Sequence, residues 1–103
     1  MTTPCHTREQ LATQSEAFIR QVLSAHLAPS VAVYLYGSRA RGNNRWNSDY
    51  DIWVDSEIPK ATLRRLIDEL DESFVPFKVD IITTGQVSGN FGLQVKREAK
   101  PWM

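Results

Sequence analysis

A chain of 103 residues has room for one domain around one modest core, and 42% hydrophobic with 23% charged residues are ordinary globular values. Twelve Lys and Arg balance twelve Asp and Glu, which excludes a strong net field toward nucleic acid or anionic membranes. No apolar run approaches the ~20 residues that span a bilayer, and no signal-peptide pattern opens the chain.

The spacing of Leu11, Phe18, Ile19, Val22 and Leu23 predicts an amphipathic helix over Thr7 to Leu27. Thr7 with Gln10 resembles a capping box, and Pro29 stops the helix. His26 reads as a residue matched to the helix end rather than a ligand, and His6 has no companion cluster. The lone Cys5 cannot close an internal disulfide and fits a reducing cytoplasm, the expected location. Val31 to Tyr36 is a nearly continuous apolar run, as in a strand covered on both faces. A short helical turn and a polar loop follow, then a second strand over Asp49 to Asp55. Its alternation sends Tyr50, Ile52 and Val54 to the core, and Asp49, Asp51 and Trp53 to the other face.

Ile58-Pro59 opens a helix with Leu63, Leu66, Ile67 and Leu70 as its core stripe; its charged residues read as a solvated face. Phe77 to Ile82 is a third strand, with Asp80 and Ile82 facing away from Val79 and Ile81. After Thr84 the pattern is weak. Gly85, Gly89 and Gly92 argue against an early helix, while Phe91, Leu93, Val95 and Trp102 allow a short C-terminal one. No repeat, linker or low-complexity segment interrupts residues 1–103, which read as a single domain. The expected fold is α/β: a small mixed sheet of three core strands, with helices on the face opposite the carboxylates.

Chemistry concentrates between Tyr36 and Asp51. Gly37 permits a sharp turn and close approach, and Ser38 is a preferred N-cap residue beside free amide groups suited to anions. Gly42 is placed to end the turn in the left-handed conformation. Asp49 and Asp51, two apart on a strand, hold both carboxylates on one face. Packing asks for no such pair, whereas Mg²⁺ takes up carboxylates together with substrate phosphates. Asp80, set in an apolar strand, is expensive unless paired, hydrogen-bonded or metal-bound, and is the natural third carboxylate. Arg39, Arg41 and Arg45 add charge; Arg39 and Arg41 diverge on a helical turn, so at most one points into the site. Trp46 and Trp53 have faces suited to a base, although core or partner contact explains each as well. Ser48 shapes the turn into the second strand.

Gly37-Ser38 with Asp49-Tyr50-Asp51 resembles the signature of the polymerase-β-type nucleotidyltransferase superfamily, and above all its minimal nucleotidyltransferase (MNT) branch. The likeness runs from about Val31 to Ile82. It implies that Asp49, Asp51 and Asp80 are catalytic and hold two Mg²⁺ ions, and that Gly37 and Ser38 hold phosphates of ATP; Arg39 and Arg41 are nucleotide-contact candidates by their charge alone, with simple surface exposure the equal alternative for each. It also implies an antitoxin that transfers AMP to a tyrosine of a HEPN-type toxin. Larger relatives carry an additional helical domain; about 20 residues follow the third carboxylate here, so the acceptor is expected on a partner molecule. Two other readings remain open: a module that neutralises its partner by contact alone, and a nucleotidyltransferase of a small hydroxylated molecule.

Overall fold

The structure, a computed structural model, describes residues 7–103; Cys5 and His6 lie outside the described residues. Helix α1 (Arg8–His26) begins as its sequence predicts. The Thr7 hydroxyl accepts the Gln10 N–H at 3.0 Å, and the Gln10 side chain accepts the Thr7 N–H at 3.0 Å. Strand β1 (Val33–Tyr36) runs into a single-turn helix α2 (Gly37–Arg41), and strand β2 (Tyr50–Val54) returns antiparallel to β1. Helix α3 (Lys60–Asp71) is the crossover that a parallel pair requires, and strand β3 (Val79–Thr83) then lies parallel to β2.

One face of the sheet carries the main core. Val33 on β1, Tyr50, Ile52 and Val54 on β2, Ile19, Val22 and Leu23 on α1, and Leu66 and Leu70 on α3 are all buried there. Each such aliphatic side chain contributes roughly 1.5–3 kcal/mol when fully buried. His26 at the end of α1 reaches across to Glu69 of α3 at 2.8 Å, so a residue expected to serve its own helix end ties two helices together.

The sheet holds a fourth strand that the sequence does not announce. Strand β4 (Lys100–Pro101) pairs antiparallel with β1, giving the order β3-β2-β1-β4. Two residues are too few to show a period. Before it comes helix α4 (Gly89–Glu98), the short C-terminal helix expected from Phe91, Leu93 and Val95, which starts early enough to include Gly89 and Gly92. A Cβ on Gly92 would stand 2.7 Å from the Val87 carbonyl carbon, so this glycine lets α4 press against the preceding segment rather than breaking it. Helix α4 packs on the face expected to be free of helices. There Val95 is buried with Tyr36 and Trp53 in a second, smaller cluster. Phe91 and Leu93 of the same helix remain exposed, while Trp102 packs against the main core.

Candidate active site

The end of β1, the start of α2 and the start of β2 meet beside α4. Gly37 has φ +76°, a conformation that glycine adopts without penalty. Its Cα lies directly against the carboxylate of Asp51, where any Cβ would overlap Oδ2. Gly42 closes α2 with φ +82°. The serine cap expected at this turn is not made. Tyr36 occupies the N-cap position and no side chain caps the helix, which begins at Gly37. Ser38 instead lines the cleft.

Asp51 and Asp80 are direct register partners across the parallel strands β2 and β3. Partners in a ladder point to the same face, so both carboxylates stand on the side of α4. Asp49, one residue before β2, is exposed. Burial raises the Asp51 carboxyl above its ordinary pKa, and the charges of Asp80 and Asp49 raise it further, against the opposing charge of Arg41. The three aspartates therefore share one field. Among the described residues, however, no three His, Cys, Asp or Glu side chains converge closely enough to hold a metal ion by themselves. Such a donor set suits a hard cation that completes its shell with substrate phosphate oxygens rather than an all-protein cage. Lys78 stands 3.8 Å from Asp80 at the open edge.

The cleft has a volume of about 290 Å³. Tyr36, Gly37, Ser38, Arg41 and Asp51 form one wall, and Phe91, Gln94, Val95 and Glu98 of α4 the other. Tyr36 has its phenol pKa raised to about 12 by burial and by the charges of Asp51, Asp80 and Glu98. The short C-terminal helix was expected from Phe91, Leu93 and Val95, but nothing local in the sequence signals that Phe91, Gln94, Val95 and Glu98 line the cleft.

Of the two arginines on α2, only Arg41 faces the cleft. Arg39 turns to the other side. Its guanidinium donates to the carbonyls of Ser48 and Trp46, each at 3.0 Å, and lies over the rings of Tyr50 at 3.9 Å and Phe77 at 5.0 Å. The expectation that Arg39 touches nucleotide is thus not matched by its placement, since the site-facing direction belongs to Arg41. Trp53 is also withdrawn from any ligand, stacked on Tyr34 at 4.8 Å and 8% exposed. Trp46 has Arg8 over its ring at 4.4 Å, and Ser48 shapes the loop by accepting the Arg45 N–H at 2.8 Å.

A glycine-serine turn after the first strand, paired carboxylates on the next two strands and a small mixed sheet define a nucleotidyltransferase-type domain. Residues 18–101 match the family described as Polymerase beta, Nucleotidyltransferase, and the chain belongs to that family. It is 34% identical over 86 residues to the Probable protein adenylyltransferase MntA of Haemophilus influenzae, covering 80% of this chain and 75% of the relative. A toxin–antitoxin crystal structure with AMP-PNP superposes with a TM-score of 0.67 at 26% identity, over 85% of this chain and 72% of that one. The fold is shared as well with a structure of tri-AMPylated Shewanella oneidensis HEPN toxin in complex with MNT antitoxin. That TM-score is 0.63 at 22% identity, over 88% of this chain and 71% of the other. No helix among the described residues is long and apolar enough to cross a membrane.

Proposed function

We propose that this protein is a Mg²⁺-dependent adenylyltransferase that moves AMP from ATP to a tyrosine of a HEPN-type toxin, acting in the cytoplasm as its antitoxin. The observation that carries the reading is the register of Asp51 opposite Asp80, with the Asp51 carboxylate seated against the Gly37 turn. The relationship to the Haemophilus adenylyltransferase and the likeness to a toxin–antitoxin pair with AMP-PNP support it.

In this reading the tyrosine oxygen of the partner attacks the α-phosphorus of ATP. A P–O bond forms to AMP, the bond to the pyrophosphate oxygen breaks, and the phenolic proton is lost. The Gly37 N–H, Ser38 and Arg41 hold phosphates of the nucleotide, where charge-assisted hydrogen bonds are strongest. Asp49, Asp51 and Asp80 are the residues that would hold Mg²⁺, which when bound neutralises phosphate charge and acidifies the attacking hydroxyl. Asp80, on the open side of the pair, faces the incoming acceptor and takes its proton. Asp51, wedged beside Gly37, faces the triphosphate. Arg39 holds the loop before Asp49 through Ser48 and Trp46, and so positions the first carboxylate.

The test is incubation with Mg²⁺, the HEPN partner and ATP labelled on its α-phosphate. Label is expected on a partner tyrosine, identified by mass spectrometry, and should vanish when the divalent cation is chelated. An unlabelled partner at full occupancy of the complex overturns the reading.

A further inference from the structure

One side chain in the cleft has no part in the transfer just described. Glu98 is the last residue of α4, and its side chain is only 13% exposed. Its Oε1 accepts the Gly37 backbone N–H at 3.1 Å. Its Oε2 accepts from Arg41 Nη1 at 2.7 Å and from Gln94 Nε2 at 3.2 Å. The first two donors are 61 and 57 residues away along the chain, so the docking of α4 through Val95 brings them together, not local sequence. They are also two of the donors assigned above to nucleotide phosphate. Carboxylate and phosphate oxygens ask the same thing of an amide N–H and a guanidinium, and one set of donors cannot serve both at once.

The geometry points to Glu98 as a resident phosphate mimic: its carboxylate fills the anion site of the cleft in the nucleotide-free protein, and the triphosphate must displace it to bind. The inference rests on the nucleotide reading and adds a competitor to it. Burial pushes the Glu98 carboxyl up, yet the hydrogen bonds from Gln94, Arg41 and Gly37 together with the Arg41 charge hold it below its ordinary value. The group is thus an anion bound as a substrate anion would be. Its charge also reaches Asp51 and Tyr36, adding to the field that a polyphosphate must enter. Displacement requires only rotation of a flexible side chain at the end of a helix.

A purely structural Glu98, anchoring α4 and holding Arg41 in place, predicts the opposite sign, which makes the test decisive. Binding of Mg²⁺ with a non-hydrolysable ATP analogue, and separately of inorganic tripolyphosphate, is measured by calorimetry on wild type, Glu98→Gln and Glu98→Ala. Both variants are expected to bind both probes about tenfold tighter, the equivalent of one charge-assisted hydrogen bond released from competition. Glu98→Gln keeps an acceptor for the Gly37 N–H and so keeps α4 docked even if Glu98→Ala does not fold. Equal or weaker binding by Glu98→Gln, with wild type binding normally, overturns this inference alone. Nucleotide binding by none of the three proteins overturns the nucleotide reading, and this inference with it.

Discussion

The Asp51 carboxylate and the Cα of Gly37 are in such close apposition that a methyl group at position 37 has no space beside it. The same glycine sits at φ +76°, where an L side chain is strained by roughly 1–2 kcal/mol. Gly37→Ala is therefore expected to lower stability by at least that much and to push the Asp51 carboxylate from its place beside the turn. Transfer activity should fall further than the unfolding midpoint implies. Wild-type turnover in a folded Gly37→Ala protein would show that the apposition has no part in the reaction.

Asp51 also makes a prediction about pH. Its folded-state pKa is raised above the ordinary value of 3.8, by burial first and then by Asp80 and Asp49. A raised folded pKa means that the folded state binds the proton more tightly than the unfolded state. The resulting stabilisation is fully present below the unfolded pKa and is lost as pH rises through the folded one. Ionised Asp51 is thus a burden to the metal-free fold at neutral pH. Asp51→Asn should raise the unfolding midpoint near pH 7 in the presence of chelator, with the gain disappearing below about pH 4. The same variant should have no measurable transfer. A variant less stable than wild type at neutral pH would count against the shared field of the three carboxylates.

Arg39 is expected to act on the fold rather than on ATP. Its loss removes two hydrogen bonds to loop carbonyls and a cation stacked on Tyr50 and Phe77. Arg39→Ala should lower stability by about 1–3 kcal/mol, with KM for ATP changed less than about twofold at temperatures where it is folded. Arg39→Lys should not restore the stability, because an ammonium cannot reproduce the planar fork. Arg41→Ala should do the reverse, raising KM for ATP with little change in the midpoint. An ATP KM that rises for Arg39→Ala alone would return Arg39 to the nucleotide.

The contrast between these arginines shows how far sequence reaches. Their divergence follows from helical spacing, and so was legible; which one faces the cleft depends on Tyr50 and Phe77, contributed by other elements. The strand runs and the two-residue spacing of Asp49 and Asp51 are local patterns, and the three expected strands are the β1, β2 and β3 observed, to which β4 is added. The short C-terminal helix was legible from Phe91, Leu93 and Val95, but its early start at Gly89 and strand β4 were not. Gly92 reads locally as a breaker, and only the proximity of Val87 gives it a packing role. The Glu98 contacts bridge 57 and 61 residues, beyond any periodicity. At Ser38 a local rule did not hold: the helix begins at Gly37, the cap position falls on Tyr36, and the serine lines the cleft.

The last prediction separates a catalyst from a clamp. If neutralisation of the partner is chemical, one molecule modifies many, and substoichiometric protein with ATP and Mg²⁺ is sufficient. Asp80 is the residue on which to ask this, because its side chain is 48% exposed at the open edge while Asp51 is wedged against the Gly37 turn. Asp80→Asn should leave nucleotide affinity largely intact, since Gly37, Ser38, Arg41 and the other two aspartates remain. It should lose turnover by about 10²–10⁴-fold, the range that a positioned proton acceptor contributes. The fold should survive, because Asp80 gives up only a 3.8 Å contact with an exposed lysine and a like-charge neighbour across the ladder. The measurement is partner toxin activity titrated with wild type and with Asp80→Asn, each with and without ATP. Chemistry requires wild type with ATP to neutralise at a small fraction of the partner concentration, and Asp80→Asn to fail at that dose. If both proteins protect equally at one molecule per partner whether or not ATP is present, the protein is a clamp and the aspartates are not its means of neutralisation.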